Sequence, residues 1–318
     1  MRDAYAVIHK DLNVRIHSRS GGFFTALSDY VLNHGGVVYG CILNEDFLAV
    51  HVRALDKASR DKMRGSKYIQ SNMGQVIRRL MKDIADGKLV LFTGTTCQVA
   101  SVKAMFKVIP ENLILMDVVC HGVPSPMIWK KYIDWNEKRF SGKCDSVEFR
   151  NKIDFGWRAH IETLNIENKG SMRKISQEYF RALFYRHNIL RPACYHCPYK
   201  SLNRVADISI ADCWGVEKAA PQMDDNKGVS LILVETEKGE RIFSALRSTL
   251  QLTPIDINKC IQPSFIEPHK EPEDRKNFWN DLYGMRFSKV LNKYADYGIF
   301  YSLQKRFKKL STILSCIC

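Results

Sequence analysis

Between residues 20 and 120 the chain alternates segments with apolar residues at every third or fourth position and short runs that are apolar throughout. In "GGFFTALSDYVLNHGG", Phe24, Leu27, Tyr30 and Val31 fall at helical spacing, with Ser20 ahead as a candidate cap and Gly35 and Gly36 as a stop. "VVYGCIL" reads as a buried strand, "MGQVIRRLMKDIADG" as a helix closed by Gly87, and "LVLFTG" as a second buried strand; "LILMDVVCHG" comes after another helical stretch. Buried strands separated by helices predict an α/β fold with a mostly parallel sheet core and helices on both faces.

From about residue 144 the pattern changes. "CDSVEFRNKIDFGWRAHIETLNIENKGSMRKISQ" has the polar alternation and turn residues of antiparallel hairpins, and "QEYFRALFYRHNIL" is helical. "ADISIADCWG" and "VSLILVETEKGERIFSAL" restore two strands and a helix, expected on the same sheet. We therefore expect one α/β domain over 1–270, with a hairpin insertion at about 144–176 and a cysteine-bearing segment at 191–215, then a basic helical tail over 271–318.

Composition narrows the class. The 318 residues are 45% hydrophobic, enough to bury a full core. No run approaches the roughly 20 apolar residues of a membrane span, and the first residues lack a secretory signal, so a cytoplasmic protein is expected. The net charge of +14 implies anionic partners. In the tail, "RFSKVLNKYADYGIFYSLQKRFKKLSTILSCIC" mixes aromatic and aliphatic residues with Lys and Arg, which suits a peripheral contact at the inner face of a membrane.

Ten cysteines in a reducing compartment point to metal ligation or plain burial rather than cross-linking. Cys194 and Cys197 form the single Cys-x-x-Cys. Cys97, Cys120 and Cys213 each come just after a predicted strand, and parallel strands deliver the residues beyond their carboxyl ends to one common edge. Zinc and an iron–sulfur cluster both suit four thiolates; one local pair plus isolated cysteines leans toward a cluster. Cys41, Cys144 and Cys260 read as buried small residues, and Cys316 and Cys318 as terminal ones.

Three loops carry donors suited to phosphate and an aromatic ring. "HSRSGGFFTAL" puts small residues and hydroxyls at a helix start, and "FTGTTCQ" places Thr93, Gly94, Thr95 and Thr96 at a strand end. Between them "RGSKYIQS" crowds Arg64, Lys67, Tyr68, Gln70 and Ser71 together. Two such loops on one sheet edge would hold the two ends of a dinucleotide.

The strings "SGGFFTAL", "RGSKYIQS", "GTTCQVAS", "DVVCHGVPSP", "FGWR", "RPACYHCPYK" and "RVADISIADCWG", in this order, resemble the coenzyme F420 hydrogenase/dehydrogenase beta subunit family, over roughly residues 1 to 235. The resemblance implies an oxidoreductase with FAD and one [4Fe-4S] cluster, passing electrons between iron–sulfur centres and a hydride carrier. It implies Cys97, Cys120, Cys194 and Cys197 as cluster ligands. Ser20, Gly21, Gly22, Thr25, Lys67, Tyr68, Gln70, Ser71, Thr93, Gly94, Thr95 and Thr96 would line the flavin. Relatives have proline where Thr96 stands and an aromatic residue where Cys213 stands, so Cys213 is not expected to be a required ligand.

Lys67, Arg158 and Arg204 are candidates for stabilising negative charge, and His121, next to Cys120, for proton transfer or donation to a cluster sulfur. The ferredoxin module of some relatives is not in this stretch, so further clusters are expected from a redox partner such as ferredoxin. The substrate is expected to be a small molecule, either the deazaflavin coenzyme or a sugar or polysaccharide intermediate. Nucleic acid is not expected, because the basic residues form no stripe. The rival readings are a zinc-stabilised basic nucleic-acid-binding protein and a non-catalytic scaffold that keeps the fold.

Overall fold

The computed structural model describes residues 3–74 and 76–298. The described residues form eleven strands: β1 (Asp3–His9), β2 (Val37–Leu43), β3 (Ala49–Ala54), β4 (Val90–Thr95), β5 (Leu113–Val118), β6 (Lys143–Glu148), β7 (Glu162–Asn168), β8 (Ser171–Gln177), β9 (Ile208–Asp212), β10 (Ser230–Val234) and β11 (Leu250–Pro254). Eight of them form one sheet in the order β11-β1-β10-β9-β5-β4-β2-β3. The centre, β2-β4-β5-β9, is parallel. Antiparallel strands flank it, β3 on one side and β10, β1 and β11 on the other.

Both faces are covered, which is why the central strands are mostly apolar rather than strictly alternating. Val38, Leu91, Ile114 and Ile232 pack on one face with Phe23 and Leu27 of the helix Phe23–Asn33 and Phe243 of the helix Glu237–Ala245. Tyr39, Phe92 and Leu115 face the other way, against Leu80 of the helix Val76–Ala85 and Val99 and Val102 of the helix Thr96–Lys103. This is the α/β fold with helices on both faces that the apolar runs imply. The antiparallel flanks and the strand β1 are additions to it.

A second layer packs around the three-stranded sheet β6-β7-β8. The helix Pro126–Phe140 begins with proline in its first turn, where the missing N–H is no loss, behind the cap Ser125. Its Trp129 and Tyr132 join Phe180 and Leu183 of the helix Tyr179–Tyr185 in one core. Phe278 of the helix Arg275–Gly284 and Leu291 of the helix Phe287–Tyr294 enter the same core. The later part of the tail, 299–318, with Cys316 and Cys318, lies outside the described residues.

One local expectation is corrected. The helix after "SRSGG" starts at Phe23 with Gly22 as its cap at φ +95°, and Ser20 does not cap it. The Ser20 hydroxyl donates instead to the Val229 carbonyl at 2.6 Å, because the loop crosses the sheet edge beside β10.

Candidate functional site

The cysteines reach one edge by strand geometry. β4 and β5 are paired in parallel, with Thr95 opposite Val118, so Cys97 and Cys120 leave the sheet side by side. Cys97 sits in the first turn of the Thr96–Lys103 helix, whose capping box joins Thr95 and Gln98. The Cys194/Cys197 turn is pinned beside the residues just after Cys120: Arg191 N–H donates to the Val123 carbonyl at 2.9 Å, and Pro124 bridges Leu190.

The four thiols share an electrostatic environment. Burial first, then Cys97 and Cys194, push the Cys120 thiol up to about 12 against the pull of Lys200. Cys194 is raised by burial and by Cys97 and Cys197. Without a metal these two stay protonated, and a metal would displace the protons. Lys200, lowered by burial, senses Cys120, Cys197 and Cys194.

Cys213 lies elsewhere: its sulfur is 3.5 Å from that of Cys260, both buried in the core beneath β10. Cys41 and Cys144 pack as partly buried side chains in the second layer.

The three loops converge through their own hydrogen bonds. Gly21 is wedged between β1 and β10: a Cβ there would meet the Val7 carbonyl oxygen at 2.1 Å and the Ser230 nitrogen at 2.7 Å. Thr25 is buried, and its hydroxyl accepts from Arg64 Nε at 3.1 Å, joining the first loop to the second. Ser71 accepts from Gln98 Nε2 at 2.7 Å and contacts His51 Nδ1 at 3.1 Å, joining the second loop to the third. His51 Nε2 in turn lies 3.1 Å from the Thr93 carbonyl, while the Thr93 hydroxyl donates to the Tyr39 carbonyl. Gly94 leaves room for Gln98, whose Oε1 a Cβ would meet at 3.0 Å. Gln70 N–H donates to the Pro124 carbonyl at 3.0 Å, on the cysteine side.

The candidate charged groups divide. Lys67 curls onto its own loop, donating to the carbonyls of Lys62, Arg64 and Gly65, and burial pushes it down to about 8. Arg158 points outward into a pair with Asp224 at 2.7 Å. Arg204 is wholly buried between Asp117 and the Thr96 hydroxyl, so it ties the strand ends together. His121 Nε2 is 3.0 Å from His187 Nε2, and His121 Nδ1 is 3.1 Å from His269 Nε2.

Five side chains were invisible as a group in the sequence. Arg150 donates to Asp212 at 2.9 Å and to Tyr68 at 3.4 Å, and the Trp157 indole donates to Asp212 at 2.9 Å. Arg19 donates to the Trp157 carbonyl at 2.8 Å, yet its Nε and Nη1 are buried with no hydrogen-bond partner among the described residues. Burial pushes Asp212 up, but Arg19, Arg150 and the indole outweigh it and hold the carboxyl below its ordinary value. Lys152, brought down to about 7 by burial and by Arg19 and Arg15, donates to the Ser20 carbonyl at 3.1 Å. Lone basic residues in "EFRNK" and "HSRSGG" carry no spacing signal that would have united them.

The fold and this edge define a class: a two-layered α/β protein with four thiols and three donor-rich loops at the mouth of a mixed sheet. A chain of the F420-reducing [NiFe] hydrogenase complex from Methanosarcina barkeri, in a structure obtained with xenon derivatization, has the same fold, with a TM-score of 0.52. It is 18% identical, and the likeness covers 79% of this chain and 81% of that chain. No curated protein matches the chain. The family model for the C-terminal part of the coenzyme F420 hydrogenase/dehydrogenase beta subunit matches residues 87–259, more than half of the chain, and the protein belongs to that family. It is thus a redox protein of the hydrogenase/dehydrogenase beta-subunit kind, and the matched stretch holds Cys97, Cys120, Cys194 and Cys197.

Proposed function

We propose that the chain is an oxidoreductase that holds one [4Fe-4S] cluster on Cys97, Cys120, Cys194 and Cys197 and FAD across the loops at 20–25, 67–71 and 93–96. The observation that supports this reading is that Cys97, Cys120, Cys194 and Cys197, from three chain segments, lie close enough for their thiols to raise one another, beside the parallel strand ends that carry the hydroxyl-bearing loop at 93–96. The donor set fits the cluster, since thiols rather than carboxylates are the groups that Lys200 senses. The two Arg19 nitrogens with no hydrogen-bond partner among the described residues, beside Arg150 and Tyr68, fit an anionic, aromatic group.

When bound, the flavin would exchange a hydride on one side and single electrons on the other, matching a one-electron cluster to a two-electron substrate. The chain's part is to orient and to neutralise. Arg19 and Arg150 would offset negative charge on a reduced ring or an acidic substrate; Arg158 is directed away by its pair with Asp224. Lys67 and Lys152 hold the loops in place by donating to backbone carbonyls. The second core layer covers the site on the side of Tyr68, whose ring meets Phe149 and Phe184.

Electrons would come from a redox partner protein such as ferredoxin and pass to a small acceptor, either the deazaflavin coenzyme or a sugar or polysaccharide-pathway intermediate. The work would be done in the cytoplasm. No helix among the described residues is long and apolar enough to cross a membrane. A peripheral contact through 285–318 is carried chiefly by residues outside those described.

The test is anaerobic purification followed by a visible spectrum and iron, sulfide, zinc and flavin analysis. Iron with acid-labile sulfide and one flavin per chain is expected. Cys194→Ala should lose the cluster, while Cys144→Ala and Cys260→Ala should keep it. A colourless protein with zinc on the thiols would overturn the reading.

A further inference from the structure

His121, His187 and His269 come from three distant segments: the end of β5, the end of the Tyr179–Tyr185 helix, and the loop after Phe265. Their rings nevertheless touch. The three ring centroids lie 4.9, 4.0 and 4.1 Å apart, and one ligand nitrogen from each lies within 4.8 Å of the others. His269 lies beyond the residues matched by the family model, so the trio is not a feature of that stretch alone.

His187 is placed there at a backbone cost. It stands just past the helix end with φ +67°, where glycine or asparagine is the usual residue. The position is fixed by the Leu190 N–H and the Tyr195 hydroxyl, which both donate to the His187 carbonyl, at 3.0 and 2.5 Å. These contacts hold His187 in the αL capping conformation.

We propose that His121, His187 and His269 bind one divalent transition-metal ion of the zinc class, through one imidazole nitrogen each, with a fourth position open to water or an anionic ligand. Zinc–nitrogen bonds of about 2.0–2.1 Å in tetrahedral array set the ligand nitrogens roughly 3.3 Å apart. The contacts of 3.0 and 3.1 Å use different nitrogens of His121, so coordination keeps one of them as a ligand pair and draws the third nitrogen inward from within 4.8 Å. Imidazole coordinates in its neutral form. No carboxylate belongs to the group, so the ion keeps its full charge toward the open position, as three-histidine catalytic zinc does.

The site is independent of the cluster and flavin assignment, and the test separates the two. Cobalt(II), a coloured stand-in for zinc, is titrated into the full chain purified anaerobically. One ion per chain is expected, with visible bands but no sulfur-to-cobalt charge transfer. His187→Gln and His269→Gln should each weaken binding by more than the roughly 10–100-fold typical of changes behind the ligands. Iron and sulfide per chain should stay constant. Because a variant could fold poorly, copper(II) bound to the unaltered chain is also read by electron spin resonance, with couplings from three imidazole nitrogens expected. Cobalt binding only with a sulfur band, unchanged affinity in His269→Gln, or fewer than three coupled nitrogens would reduce the trio to a hydrogen-bonded chain of neutral rings.

Discussion

The Lys200 ammonium donates to the carbonyl of Cys120 at 2.6 Å and to that of His121 at 3.0 Å, so a cation stands at the turn that delivers the cysteine. If the four thiols hold a cluster, this charge favours the added electron. A unit charge a few ångströms beyond contact is worth about 1–2 kcal/mol at the effective dielectric of such sites, or roughly 40–90 mV for one electron. Lys200→Met should lower the cluster potential by that amount, and Lys200→Arg should lower it much less. An electron-spin-resonance redox titration measures both; equal potentials in all three proteins would place the cluster away from Lys200.

Arg204 and Asp117 form an ion pair at 1% and 0% side-chain exposure. Arg204 also donates to the Thr96 hydroxyl, so it binds the ends of β4 and β5 to the segment just beyond the Cys-x-x-Cys. Removing one partner leaves an uncompensated buried charge, which costs about 3–5 kcal/mol. Arg204→Met should therefore destabilise by that amount, and adding Asp117→Leu should recover much of it. Urea unfolding of the two variants decides this, and a single variant as stable as the parent would show that water reaches the pair.

How far the sequence reached depends on the range of the interactions involved. β2, β4, β5, β9 and β10 were legible because burial on both faces makes most of their residues apolar, as in Leu113–Met116 of β5, rather than alternating with polar ones. Their order was not, since pairings such as Tyr5 with Ile232 join residues that carry no mutual signal. The same limit hid the Arg19, Arg150 and Asp212 group and the contact of His269 with His121. Gly21 and Gly22 were legible as special, but nothing in the residue pattern prefers a tight crossing of two strands over a phosphate cradle.

That crossing yields a prediction of its own. A methyl group at Gly21 would enter the Val7 carbonyl, which is backbone and cannot swing aside. Overpacking of this kind costs about 1–3 kcal/mol, occasionally more. Gly21→Ala should fall at or above the top of that range and also reduce bound flavin, because Ser20 and Thr25 shift with the loop. Thermal unfolding together with flavin content tests it; full stability would mean the loop stands farther from β1 than the structure shows.

His160 offers a pH signature. It is buried, its Nδ1 lies 3.0 Å from the Tyr185 hydroxyl, and burial together with Arg150, Arg19, Arg181 and His121 pushes it from 6.5 down to about 2. Between those values the unfolded chain binds a proton that the folded chain does not. Stability is therefore lost as pH falls below 6.5, at about 1.4 kcal/mol per pH unit for this one proton. His121, His187 and His269 are lowered too and steepen the decline. Urea unfolding at pH 7, 6 and 5 should show a slope of more than one proton, and His160→Gln should reduce it by about one. A slope left unchanged by the substitution would mean that His160 is already charged in the folded protein, which the neighbouring guanidinium groups of Arg150 and Arg19 oppose.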